Sequence, residues 1–312
     1  MASRHPFAPL LLLALVAKLV EGASFAAVAP AYIETIRSEA QTTGGRIVAG
    51  WEAEDGQIPH QISIRMVNRE ARVASCGGSV IHHNWVITAA HCLANRVTFV
   101  VRFGVTSLRE PEYIVEATRR FLHPLYVESS RLVQTHDIAL LGIDRAIPYG
   151  PTVQPVRLQS SEEKARDYKG LRLTVSGFGL TDDRVNGGAA SEVLRWVYLL
   201  GITYEECRFW YPRSTALAEQ TLCAESYNDT AQSSCQGDSG GPLTELDEDG
   251  KPTMVGIVSF GSRSGCNSPF PSGYVRPGYY HEWFEEITGI DFDWKRADLQ
   301  NALYSPRGPT AQ

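Results

Sequence analysis

The stretch Cys235-Gln236-Gly237-Asp238-Ser239-Gly240-Gly241-Pro242 decides how the rest of the chain is read. A serine stands in a turn rich in glycine. Glycine lets the backbone turn tightly and approach another molecule closely. The N–H groups of such a turn suit a developing oxyanion. A serine hydroxyl is a weak nucleophile at neutral pH and needs a base. Two strings further up the chain supply what it lacks. Thr88-Ala89-Ala90-His91-Cys92 follows an apolar run and offers an imidazole, which titrates near the required pH. Asp137-Ile138-Ala139-Leu140-Leu141 opens another apolar run and offers a carboxylate. Such a carboxylate fixes the imidazole tautomer and stabilises the imidazolium. The candidate catalytic residues are therefore His91, Asp137 and Ser239.

Short apolar or alternating runs surround these strings, broken by Gly, Pro and Asn. They include Gln61 to Val67, Gly78 to Ile81, Trp85 to Thr88, Thr98 to Phe103, Ile138 to Ile143, Leu171 to Val175, Leu194 to Leu200 and Met254 to Phe260. Many short strands between turn signals indicate an all-β sandwich or barrel. Helices are expected near Thr203 to Trp210 and near Gly278 to Ile287, the second after Pro277. The proline-rich stretch from Ala146 to Ser161 looks like a crossing between two halves. The pattern Gly237-x-Ser239-x-Gly241 also fits the nucleophile elbow of α/β-hydrolases. Those enzymes run Ser, acid, His. Here His91 and Asp137 precede the serine, and only His281 follows it. The alternating helices of an α/β fold are missing as well.

The chain has 312 residues and a net charge of -6, which argues against nucleic acid as the main partner. The apolar run from Leu10 to Ala17 is too short to span a bilayer and has the length of a signal-peptide core. Residues 1–22 are read as a signal peptide, and the protein as secreted and extracellular. No later stretch is apolar enough for a membrane anchor. Six cysteines in an exported chain suggest three disulfides, though spacing alone does not choose among the fifteen pairings. No Cys or His cluster has zinc spacing, so neither metal nor cofactor is expected. Asn228-Asp229-Thr230 is a glycosylation acceptor. The acidic residues Glu110, Glu112 and Glu116 read as solvated.

The strings Arg46-Ile47-Val48-Ala49-Gly50, Ser75-Cys76-Gly77-Gly78-Ser79, and those at His91, Asp137 and Ser239 occur in one order across residues 47 to about 290. In this the chain resembles the chymotrypsin/trypsin family of serine endopeptidases. The resemblance implies two six-stranded antiparallel β-barrels, the active site between them and a C-terminal helix. It divides the chain into an activation propeptide at 23–46, a protease domain at 47–290 with its crossing near 146–165, and a polar tail at 291–312. That tail reads as loosely attached or disordered. The resemblance also implies disulfides Cys76–Cys92, Cys207–Cys223 and Cys235–Cys266. None is left for the propeptide, which is expected to leave after cleavage. Cleavage after Arg46 would free the amine of Ile47 to pair with Asp238 and shape an oxyanion site from the N–H groups of Gly237 and Ser239.

By the same resemblance Ser233 lies at the pocket floor, where an acid would select Lys or Arg. Gly261 and Ser272 form the pocket walls. Ser259, Phe260 and Gly261 form the edge that pairs with the substrate backbone. Most relatives have Trp where Phe260 stands. The expected preference is for large apolar or aromatic residues before the cut bond, with an elastase-like preference second. A non-catalytic homologue is a further alternative. A pocket that rejects Arg does not favour self-activation, so a trypsin-like activating protease is an expected partner. Protein or peptide substrates and proteinaceous inhibitors complete the expected partners of a monomer.

Overall fold

The computed structural model describes residues 50–130, 132–180, 189–227, 233–262, 265–266 and 268–304. Arg46, Ile47, Asn228, the expected signal peptide and the expected propeptide lie outside them. After a short edge strand, β1 (Trp51–Glu52), the first barrel begins at β2 (Gln61–Val67). Ile62, Ile64 and Met66 of β2 point into the core and are fully or almost fully buried, while Arg65 remains partly exposed on the outer side. That is the period-two rule of a strand. The barrel continues through β3 (Val73–His82), β4 (Trp85–Thr88), the one-turn helix α1 (Ala90–Leu93), β5 (Thr98–Phe103), β6 (Tyr113–Ala117), β7 (Arg119–Leu122) and β8 (Ala139–Gly142). The strands pair in the order β6-β5-β2-β3-β4-β8-β7. β6 and β7 stand at opposite ends of this order, yet only Thr118 separates them along the chain. They are halves of one bent strand. One half pairs with β5 and the other with β8, so the bend closes the sheet into a barrel.

The second half contains β9 (Arg157–Leu158), β10 (Arg172–Gly177), β11 (Arg195–Ile202), α2 (Tyr204–Trp210), β12 (Thr221–Ser226), β13 (Pro242–Leu246), β14 (Pro252–Phe260) and β15 (Ser272–Val275). Its strands run β11-β10-β13-β14-β15-β12, and β12 pairs back to β11. This closes a six-stranded antiparallel barrel. β9 belongs to the expected crossing and pairs in parallel with β14. Phe99, Phe103, Ile87 and Leu140 fill the first core; Leu173, Val197, Leu243 and Tyr274 fill the second. Each such side chain contributes roughly 1.5–3 kcal/mol by leaving water.

Three disulfides join Cys76 to Cys92, Cys207 to Cys223 and Cys235 to Cys266. α2 starts at a capping box in which Thr203 and Glu206 satisfy each other's backbone N–H groups. α3 (His281–Thr288) ends at Gly289, which takes the left-handed conformation with φ 70°.

The C-terminal segment departs from its expectation. Its described part is docked, and residues Arg296–Tyr304 form a further helix, α4. The Trp294 indole donates to the Leu158 carbonyl at 2.7 Å and lies 4.7 Å beneath the Arg157 guanidinium. The Ser160 hydroxyl donates to the Trp294 carbonyl at 2.6 Å. Asp293 accepts from the backbone and hydroxyl of Ser161. Arg296 pairs with Glu163 at 2.7 Å and with Asp247 at 3.0 Å. The polar letters that suggested solvation are spent on partners in the crossing and in the β13–β14 hairpin.

Candidate active site

His91 lies in α1, directly after β4, and its neighbour Cys92 is bonded to Cys76 of β3. The imidazole is thereby mounted on a braced strand end. Asp137 precedes β8, whose residues are all buried. The preceding residue, His136, takes φ 56°, a left-handed turn that swings the chain into β8. Asp137 is itself only 3% exposed, so its charge needs partners. It has three. Its Oδ2 accepts from His91 Nδ1 at 2.7 Å and from the Ser259 hydroxyl at 2.6 Å. Its Oδ1 accepts from the His91 backbone N–H at 2.8 Å. A carboxylate only accepts, so Nδ1 carries the proton and Nε2 keeps its lone pair.

The electrostatics follow from this contact. Burial drives the His91 imidazole down, but the charge of Asp137 and the bond to it outweigh burial and hold it above the ordinary 6.5. Burial drives Asp137 up, but the His91 charge and the bonds from His91 and Ser259 hold it below 3.8.

Ser239 sits in a turn whose flanking glycines, Gly237 at φ 103° and Gly240 at φ 78°, occupy backbone conformations that L side chains avoid. The Ser239 carbonyl accepts from Gly77 N–H of β3 at 2.8 Å. A Cβ on Gly240 would lie 2.0 Å from the Thr88 hydroxyl. The serine turn is thus pressed against the strand end that carries His91. His91 and Ser239 do not hydrogen-bond in this structure. Catalytic contacts of this kind commonly tighten when substrate binds.

The Asp238 carboxylate is fully buried. It accepts from Gly179 N–H at 2.6 Å and from Cys235 N–H at 2.8 Å. No cationic side chain among the described residues pairs with it. Burial pushes its carboxyl up to about 8. A Cβ on Gly179 would lie 2.0 Å from Asp238 Oδ2, so glycine is what makes room for the acid.

Beside Ser239 opens a pocket of about 260 Å³ lined by Ser233, Ser259, Phe260, Gly261, Phe270 and Ser272 among others. The Ser233 hydroxyl donates to the Cys266 carbonyl at 2.5 Å, and Ser234 donates to the Ser272 hydroxyl at 3.2 Å. Ser233 and Ser234 therefore bring neutral hydroxyl groups to the pocket lining. A Cβ on Gly261 would meet only the Ser272 hydroxyl, at 3.8 Å, so these two residues face each other across open space. Phe260 both lines the pocket and covers Gly273, with its ring 5.6 Å from that of Tyr211.

Sequence reasoning placed Ser259 on the substrate edge and missed its bond to Asp137, which lies 122 positions away. It also missed Gly179 and Phe270. No spacing signal points to any of them. Of the acidic residues read as solvated, Glu112 accepts from Thr152 and Glu116 from Thr98. Ligand-type atoms of Cys76, His91 and Cys92 cluster within 4.8 Å, but both sulfurs are spent in the disulfide and offer no thiolate to a metal.

Two antiparallel barrels, joined by a crossing and sharing this histidine-carboxylate-serine cleft, define a chymotrypsin-like serine endopeptidase. The family model described as Trypsin matches residues 47–284, and the chain belongs to that family. It is 34% identical over 248 residues to a collagenase of Hypoderma lineatum, covering 80% of this chain and 89% of the relative. It is 32% identical to trypsin 5G1 of Aedes aegypti, covering 80% and 87%, and 32% identical to chymotrypsin-like elastase family member 1 of Rattus norvegicus, covering 78% and 90%. A solved collagenase structure superposes with a TM-score of 0.68 at 33% identity, covering 78% of this chain and 99% of that one.

Proposed function

We propose that this chain is a secreted zymogen, exported by residues 1–22 and activated by cleavage after Arg46. The activated enzyme hydrolyses peptide bonds through an acyl-enzyme. His91 takes the Ser239 proton as the hydroxyl attacks the carbonyl, and returns it to the leaving amine. Asp137 orients His91 and stabilises the imidazolium. The N–H groups of Gly237 and Ser239 hold the oxyanion. The observation that carries this reading is the contact of the buried Asp137 with the half-buried His91 at 2.7 Å, set against the glycine turn of Ser239.

Activation has its own support in Asp238, a buried carboxylate held by two N–H groups. A free amine at Ile47 would supply the cation it lacks. The neutral floor at Ser233 and the open wall at Gly261 favour large apolar or aromatic residues before the cut. Burying Lys or Arg there would leave a charge uncompensated. A trypsin-like protease is then the activator, and a monomer suffices for the chemistry. The elastase-like alternative draws on Ser272, whose hydroxyl narrows the pocket opposite Gly261.

Treating the purified chain with trypsin, then with an organophosphonate and a peptide library, tests the scheme. The expected result is labelling of Ser239 after trypsin and cleavage after Phe, Tyr, Trp or Leu. Full activity in an Arg46→Gln chain would refute the activation step.

A further inference from the structure

The whole chain is acidic, with a net charge of -6, yet one face of the first barrel is basic. Arg65 on β2 and Arg102 on β5 alternate with core residues and so leave the outer side of the sheet. The register sets them on adjacent rows. Ser63 lies between Gly77 and Arg102, and Arg65 lies between Ser75 and Val100. The two arginines are diagonal neighbours, roughly 7–8 Å apart. Neither forms an ion pair with a carboxylate among the described residues. Nε and Nη1 of Arg102 are shielded from solvent and have no hydrogen-bond partner. Burial, and then the charge of Arg65, push the Arg102 guanidinium below its ordinary value. Two unpaired cations held side by side, one partly desolvated, cost stability. An anion bound between them removes that cost.

The basic strip runs toward the catalytic cleft. The hairpin between β2 and β3 carries exposed Arg69 and Arg72. Arg96 lines one cavity together with Asn68 and His91, and its Nε is also buried without a partner. Glu70 acts on Arg96, and Glu116 is engaged by the Thr98 hydroxyl at 2.7 Å. Gly77 N–H donates to the Ser239 carbonyl. The row Gly77–Ser63–Arg102 therefore leads from the nucleophile to Arg102 across two strand spacings, about 10 Å. The pocket beside Ser239 takes none of its lining from β2, β3 or their hairpin. A substrate that seats the residue before the cut in that pocket sends the chain after the cut toward the arginines.

We propose that this strip is an exosite for an acidic peptide segment on the C-terminal side of the cleaved bond. Arg65 and Arg102 hold a pair of carboxylates by their charge. Arg96 guides the chain between the exosite and His91. The inference deepens the protease reading and rests on it for the direction of the substrate.

Two measurements test it. The first is fluorescence anisotropy of a labelled Asp/Glu-rich peptide with the full chain carrying Ser239→Ala, which needs no activation. Binding is expected to weaken at least roughly tenfold between about 50 mM and 0.5 M NaCl, and to be lost in Arg65→Gln/Arg102→Gln. The second compares two peptides, alike through the cut and the next two residues, with either an acidic or a Gly/Ser continuation. In the trypsin-treated chain the acidic one is expected to show roughly tenfold higher kcat/KM, and the ratio to fall to one in the double variant. Should that variant not fold, Arg65→Gln alone and competition by free acidic peptide against the native chain give the same readout. Equal binding by native and variant chains overturns the proposal. So does a ratio unmoved by the substitutions, an acidic preference only before the cut, or binding of a sulfated polysaccharide without the peptide. If the peptide binds but neither substrate is cut, the catalytic reading fails and the exosite stands.

Discussion

The Ser259 hydroxyl lies 2.6 Å from Asp137 Oδ2, the same oxygen that receives the Nδ1 proton of His91 at 2.7 Å. The residue proposed for the substrate edge thus also holds the carboxylate proposed to orient His91. Ser259→Ala leaves a buried acceptor one donor short, a loss of about 1–3 kcal/mol. The expected outcome is a roughly tenfold fall in kcat with a correctly folded protein. Steady-state kinetics on a small ester, beside a thermal melt, check it; an unchanged kcat denies Ser259 the orienting role.

The pH profile follows from His91. The imidazole must be neutral to take a proton, and its pKa is raised above 6.5. kcat/KM therefore climbs as pH rises through a midpoint above that value. Asp137→Asn removes the charge that raises it, so the midpoint moves down, and kcat drops by about 10⁴-fold, the loss seen when related triads are altered this way. A native midpoint below 6.5 would contradict the contact described here.

Asp238 gives the uncleaved chain a different pH dependence. Its folded pKa, about 8, is raised from 3.8. Its contribution is thus intact below the unfolded value and is lost as pH climbs toward the folded one. Urea unfolding of the uncleaved chain should show stability declining between pH 4 and pH 8, a range set by those two values. Asp238→Asn should flatten that decline. A flat native profile is the failing result.

At the pocket, a side chain on Gly261 meets only Ser272 across the opening. Gly261→Val fills the mouth of a cavity of about 260 Å³. Cleavage after Phe is expected to lose roughly 10–200-fold in kcat/KM, while cleavage after Ala is retained. A library profile unchanged by the substitution would remove Gly261 from the selection of substrate.

Trp294 ties the C-terminal segment to the crossing through its indole N–H and its stack under Arg157. Trp294→Ala is expected to cost about 1–3 kcal/mol for the lost hydrogen bond and cation–π contact, read as a lower urea midpoint. A midpoint within error of the native chain would show the segment to be an ornament of the surface.

Much of the fold was legible because strong local signals coincide. Strands β2, β4 and β5 fall where alternating or apolar runs end in turns, and Thr203 caps the helix that its letters announce. The bent strand was not legible. β6 and β7 carry charges on their outer side, and the bend at Thr118 has no glycine or proline to mark it. β13 and β15 hide among the glycines and prolines of the serine turn and the pocket loop. The strings at His91, Asp137 and Ser239 stand out because each needs a special backbone or partner. The contacts that tune them come from afar: Ser259 reaches Asp137, and Gly179 makes room for Asp238. Such pairings arise from barrel closure, which no local window contains. The docked end of the chain was misread for a related reason, since Arg296 and Trp294 look solvated until their partners are known.

The Cys235–Cys266 link fastens the segment bearing Ser239, the proposed nucleophile, to the loop that lines the neighbouring cavity. On the proposed reading, choosing a residue and cutting after it are mechanically yoked. A thiol reductant reaching that link would blur discrimination and slow turnover in a single event, so the two losses should appear with one time course.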